Sequence, residues 1–148
     1  MLDAHHAFHD WVDVAPYRVT ATAQRDEQVW DRSALEPRPV RGVRVLVAYA
    51  NYADAPLTYR LGQWMLYDTE GFAYEARLQA DLYAGDALQR LKEGVILTGQ
   101  HTQGWVAFEV PESARLAYLQ FRSGYLSEHV ASFRWDDDPI PRQRSPSS

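Results

Sequence analysis

At 148 residues the chain has room for one compact core and little more, and 46% hydrophobic with 24% charged residues is the balance of a globular protein rather than a disordered one. A formal net charge of −5 disfavours a general affinity for phosphate backbones, so no nucleic-acid partner is expected. The absence of Cys excludes disulfides, thiol nucleophiles and thiolate metal sites, and no apolar run approaches the roughly 20 residues that span a bilayer.

Residues 1–14 lack the basic start and apolar stretch of a signal peptide. The chain as written is therefore expected in the cytoplasm, or outside it as a trimmed mature form. Residues 4–11 read as one or two helical turns with Asp3 as N-cap, because Phe8 and Trp11 stand three apart and share a helical face. A first strand follows over residues 12–22, where Pro16 breaks the alternation and suits an edge or a bulge. A polar stretch then runs to the Pro-rich residues 36–39.

The clearest strand covers residues 41–50. Val43, Val45, Val47 and Tyr49 alternate onto one face, and Arg44, Leu46, Ala48 and Ala50 onto the other. Apolar on both sides, it belongs at the centre of a sheet whose outer face is covered. Two covers are available: the N-terminal helix, or a second protomer in a homodimer. Residues 57–67 and 72–78 form a hairpin around Asp68-Thr69-Glu70-Gly71. A short helix is expected over residues 86–92, closed by Gly94. Three strands complete the pattern. Residues 103–110 place Val106, Phe108 and Val110 inward and Trp105 outward. Residues 117–122 place Leu119 and Phe121 inward and Tyr118, Gln120 and Arg122 outward. Residues 131–135 place Ala131, Phe133 and Trp135 inward. The expected fold is all-β: an immunoglobulin-like antiparallel β-sandwich of about seven strands. Residues 1–11 form a short N-terminal segment, 12–135 the sandwich domain and 136–148 a mobile, Pro/Ser-rich tail.

Gly104-Trp105-Val106-Ala107-Phe108-Glu109-Val110-Pro111, preceded by Gly99 and a short polar gap, is followed by a Leu- and Phe-rich strand. With Leu66 to Gly71 upstream, this stretch resembles the immunoprotective-antigen-like family of small bacterial proteins. The resemblance covers residues 40–135 and implies an immunoglobulin-like sandwich, frequent export and no assigned enzymatic activity. It supplies no catalytic residue. Its motif positions are structural: Gly104 for chain entry into the strand, Phe108 for the core and Pro111 for the end of the ladder.

Few residues point to chemistry. His5 and His9, four apart with His6 between them, could present two metal ligands on one helical face, but the Glu of a zinc hydrolase is missing and no third ligand is evident. Asp136, Asp137 and Asp138 are oxygen ligands in kind, yet adjacent acids followed by Pro139 do not converge on one ion. The acids around Gly71 are accounted for by a turn. Ser127, Glu128 and His129 have the residue types of a hydrolase, but neighbours on a strand point to opposite faces, and no nucleophile elbow is present.

The aromatics are more suggestive. Trp105 and Tyr118 lie on the outward side of their strands, and Trp64, Tyr67, Tyr83 and Tyr125 occupy less regular segments. Such rings can anchor a protein or stack on a glycan, or they can simply cover a sheet. The chain therefore reads as a non-enzymatic binding or interaction domain without a cofactor, its ligand an unknown protein or glycan. The alternatives are a metal-binding protein using His or Asp clusters, and a carbohydrate-binding or carbohydrate-active module.

Overall fold

The structure is a computed structural model, and residues 6–31, 35–36, 38–78, 89–124 and 130–135 are described below. The strands among them are β1 (Val12–Val14), β2 (Tyr17–Asp31), β3 (Arg38–Ala50), β4 (Leu57–Tyr59), β5 (Trp64–Asp68), β6 (Ala73–Glu75), β7 (Gly94–Ile96), β8 (His101–Val110), β9 (Leu116–Arg122) and β10 (Val130–Arg134). A 3-10 turn, Leu61–Gln63, leads into β5.

A first sheet runs β1-β2-β3-β8, a second runs β10-β9-β5-β6, and β4 pairs with β7 as a small third. Every pairing between named strands is antiparallel. The chain crosses from the first sheet to the second between β3 and β5, returns before β8, and crosses again into β9. The fold is therefore all-β, with two principal sheets packed face to face.

Strand alternation builds the core. Val43, Val45, Val47 and Tyr49 of β3, with Val106, Phe108 and Val110 of β8, meet Trp64 and Leu66 of β5, Leu119 and Phe121 of β9, and Phe133 of β10. Tyr17, Tyr49, Trp64 and Phe121 pack ring against ring, with centroids 5.1–6.1 Å apart.

The N-terminal helix is not found over residues 6–11. His6 instead forms a parallel bridge to Phe133, its N–H donating to Ser132 O at 2.7 Å and its carbonyl accepting from Arg134 N at 2.8 Å. His9 adopts a left-handed backbone (φ 80°), and its N–H donates to Ala21 O at 2.7 Å. Phe8 packs edge-on against Phe133 and Trp135, at 6.3 and 5.8 Å. Backbone groups committed to both sheets cannot serve a helix, so tertiary pairing overrides the local pattern. Asp3 and His5 lie outside the described residues.

Other expectations shift. The first strand divides at a turn with a cis Ala15–Pro16 peptide, and β2 runs on through the polar stretch to Asp31. Polar residues hold a strand there because β3 pairs with them as far as Arg38. A bulge between Ala21 and Ala23 shifts the register and places Arg25 opposite Arg44. The helix expected over residues 86–92 is absent where it is described: Arg90 bridges Trp105, and Leu91 N donates to Trp105 O at 2.9 Å. Residues 86–88, and the tail from 136 to 148, lie outside the described residues.

Gly104 stands mid-strand, so chain entry is not its role. A Cβ there would lie 2.4 Å from Leu91 Cα and 2.6 Å from Leu91 N. The missing side chain makes the slot that lets Leu91 enter the core. Gly104→Ala is expected to destabilise the fold by roughly 1–3 kcal/mol, the range for overpacking a close-packed site, as a lower urea midpoint at an unchanged m-value.

Candidate functional site

The two sheets present very different outer faces. On the first sheet Trp105 is only 5% exposed and packs with Ala23, Leu46 and Ala107. The guanidinium groups of Arg25 and Arg44 lie over its ring, 5.2 and 5.6 Å from the centroid. Arg44 is itself buried and paired with Glu27, and Arg41 is paired with Asp26. The chain's own side chains therefore cover much of the outer side of β3, in place of the N-terminal helix expected from sequence.

On the second sheet the outward positions of β5 and β9 face each other across the strands. Met65 pairs with Gln120 and Tyr67 with Tyr118, with Glu75 and Ala73 beside them on β6 and Ser132 and Arg134 on β10. The Tyr67 and Tyr118 rings are stacked, with centroids 4.7 Å apart and planes within 16°. Burial, and after it the neighbouring Tyr67, push the Tyr118 hydroxyl above its ordinary value.

Beside this pair lies a groove of about 530 Å³. Met65, Tyr67 and Gln120 line it together with Gln63 of the 3-10 turn and Trp64, and its charged lining residues are Arg60, Arg122 and Glu75. Arg122 is half-buried and donates from Nη2 to Gln120 Oε1 at 3.0 Å.

A tight turn fixes one end of this face. Asp68 Oδ1 accepts from the N–H groups of Glu70 and Phe72, both at 2.9 Å, and Oδ2 accepts from the Tyr74 hydroxyl at 2.8 Å. Gly71 supplies the positive φ of 91° that the hairpin needs. Burial alone would raise the Asp68 carboxyl, but the Tyr74 bond and the turn N–H groups outweigh it and hold the group below its ordinary value. Burial first, then the bond to Asp68, pushes Tyr74 up to about 12.

Of the residues singled out from sequence, Tyr67 and Tyr118 stand on the open face. Trp64 does not: it is 1% exposed, and its ring packs against Tyr49 and Phe121. Trp105 is outward, as its register required, but covered. His9 is exposed on the N-terminal turn, and among the described residues no three His, Asp or Glu side chains converge as a metal site. Tyr83, Tyr125, His5, Asp136, Asp138 and the Ser127-Glu128-His129 stretch lie outside the described residues. Sequence reasoning missed Arg60 and Met65. Alternation along β9 exposed Arg122, but only the β5–β9 pairing shows which residues share a surface with it.

Fold and site together define a small two-sheet β-domain with one self-covered face and one open, arginine-bearing aromatic face. The chain belongs to the family described as a domain of unknown function, DUF4352, which matches residues 10–131. No curated protein sequence matches it. Among solved structures it is similar to the YjhA protein of Bacillus subtilis, at 10% identity and TM-score 0.67 over 88% of this chain and 99% of that one. It is similar to a putative lipoprotein of the same organism, YcdA, at 14% identity and TM-score 0.63, over 82% of this chain and 36% of that protein. It is also similar to the secreted protein MPT63 of Mycobacterium tuberculosis, at 10% identity and TM-score 0.59 over 90% and 98%. At these identities the likeness is one of fold. No helix among the described residues is long and apolar enough to cross a membrane.

The lowered Asp68 carboxyl stabilises the folded state above the unfolded-state value of about 4, and that contribution is lost as pH falls through the folded value. Asp68→Asn is therefore expected to lower the melting temperature most at pH 7 and progressively less towards pH 2. A deficit that stayed constant across that range in thermal melts would contradict the assignment.

Proposed function

We propose that this chain is a non-catalytic binding domain that engages a macromolecular partner through the outer face of its second sheet. The observation that carries the reading is the contrast between the faces. One buries its aromatic ring and pairs its charges, while the other leaves Tyr67, Tyr118 and Met65 at a groove lined in part by arginines. Tyr, Met and Arg are the side chains enriched at protein interfaces, where rings in partly desolvated clefts carry most of the affinity.

The reading takes the fold as immunoglobulin-like. β2, β3 and β8 take the places of strands A, B and E, and β5, β9 and β10 those of C, F and G. The Gly104–Pro111 stretch that resembles the immunoprotective-antigen-like family covers most of β8 and the Pro111 that follows it, and MPT63, a secreted protein, is similar in fold. An open sheet face on such a scaffold suits adhesion to another molecule, since the sheet holds its side chains rigidly.

The test is retention. Immobilised wild-type chain is expected to hold a partner from an extract of the source cells. A Tyr67→Ser/Tyr118→Ser variant with unchanged far-UV circular dichroism should hold at least tenfold less. Equal retention by both proteins overturns the assignment of the face, and turnover of nitrophenyl glycosides or esters above the protein-free rate overturns the non-catalytic reading.

A further inference from the structure

We infer that the groove on the second sheet takes an acidic, extended polypeptide segment in which an apolar side chain lies next to Asp or Glu. The inference rests on the binding reading above and goes further, because it names the partner's chemistry.

Charge pairing is the first support. Arg18 on the first sheet pairs with Asp13 at 3.1 Å, and Arg41 and Arg44 are paired with Asp26 and Glu27. The two arginines that line the groove, Arg60 and Arg122, form no ion pair with a carboxylate among the described residues. Glu75 is the acidic residue that lines the groove. A locally cationic lining on a chain of net charge −5 stands out as a complement to an anionic partner.

Arginine geometry is the second. A guanidinium presents a planar fork that matches a carboxylate through two parallel N–H groups. Arg122 is half-buried and already held by Gln120 Oε1, which lowers the cost of ordering it on binding.

Ring geometry is the third. Tyr67 and Tyr118 are stacked on each other, so each has one face already occupied and a pyranose or a nucleobase could use at most the other. Ring edges beside an apolar side chain suit the aliphatic side chains of a peptide. Met65 is an adaptable apolar lining residue, and about 530 Å³ holds a few side chains rather than a folded surface.

The test is selection of a displayed random dodecapeptide library on the immobilised full chain. Enrichment of Asp or Glu next to Leu, Ile, Val or Phe is expected. A synthetic selected peptide should bind at least tenfold more weakly to Arg122→Glu and to wild type in 300 mM salt than to wild type in 50 mM salt. Arg115→Glu, at the other end of β9, should bind like wild type. Amide resonances of Met65, Tyr67 and Gln120 should move on titration. Enrichment of basic or neutral peptides, or binding indifferent to Arg122→Glu, overturns the inference. If cellohexaose or a deoxythymidine oligonucleotide moves those resonances and the acidic peptide does not, the inference falls while the face remains a binding site. If none of the three moves them the inference also falls, and retention from the extract then decides the binding reading separately.

Discussion

The Tyr49 hydroxyl lies in the middle of the core, carried by the first sheet but bonded to the second. It donates to Gln63 Oε1 at 2.6 Å and accepts from Trp64 Nε1 at 2.9 Å. Gln63 Nε2 donates in turn to Ser123 O at 3.1 Å, and Gln63 Oε1 also accepts from Arg60 N at 3.1 Å. Burial drives the Tyr49 hydroxyl far above its ordinary value, with the Trp64 bond opposing that shift, so the group stays a neutral donor and acceptor. A buried polar chain of this kind is satisfied in one arrangement and costly in others. It therefore fixes how β3, the 3-10 turn, β5 and the end of β9 sit against one another. The groove is built on that junction: Gln63 and Trp64 line it, Arg60 precedes them, and Arg122 precedes Ser123. Core and candidate site thus depend on one set of hydrogen bonds.

The two outer faces show how one scaffold yields opposite surfaces. On the first sheet the bulge after Ala21 changes which residues of β2 look outward. Ala23 and Arg25, rather than Thr22 and Gln24, come to stand opposite Leu46 and Arg44. A small residue and a long cation then frame the Trp105 ring, and its edge never becomes a platform. Among the described residues the second sheet has no such cover, and Met65, Tyr67, Tyr118 and Gln120 are half-buried. Ala73 and Ser132 are short, and they flank the Tyr67, Met65, Tyr118 and Gln120 block in register. Openness there follows from small neighbours at the margins.

Much of the sheet structure was legible in the sequence because alternation is a local property. The inward sets of β3, β8 and β9, the outward Tyr118-Gln120-Arg122 row and the hairpin around Asp68 all follow from a period of two and from turn chemistry. What failed depended on distant partners. Phe8 and Trp11 have helical spacing, yet Phe8 is drawn to Phe133 and Trp135, and the backbone around it bridges both sheets. Residues 23–31 look like a loop by composition and become strand because β3 lies beside them. Trp64 and Trp105 show why a count of rings is a poor guide to a binding surface. One sits in the core and the other lies under arginines, and neither cover is visible from its own neighbours in sequence. The groove was the least legible feature, since it requires β5 to lie against β9, about fifty residues away along the chain.

Rigidity joins the turn to the open face. Asp68 follows Tyr67 directly, and its carboxylate is held by two backbone donors and the Tyr74 hydroxyl. The backbone that carries Tyr67 is therefore fixed at the turn and along its pairing with β9. Stacking against Tyr118 then restricts the ring itself, and Gln120 restrains Arg122 on the neighbouring strand. A surface prepared in this way gives up little conformational entropy when it is covered. Its contact groups are already in place, so covering this face, as the proposed function requires, would order little of the chain itself.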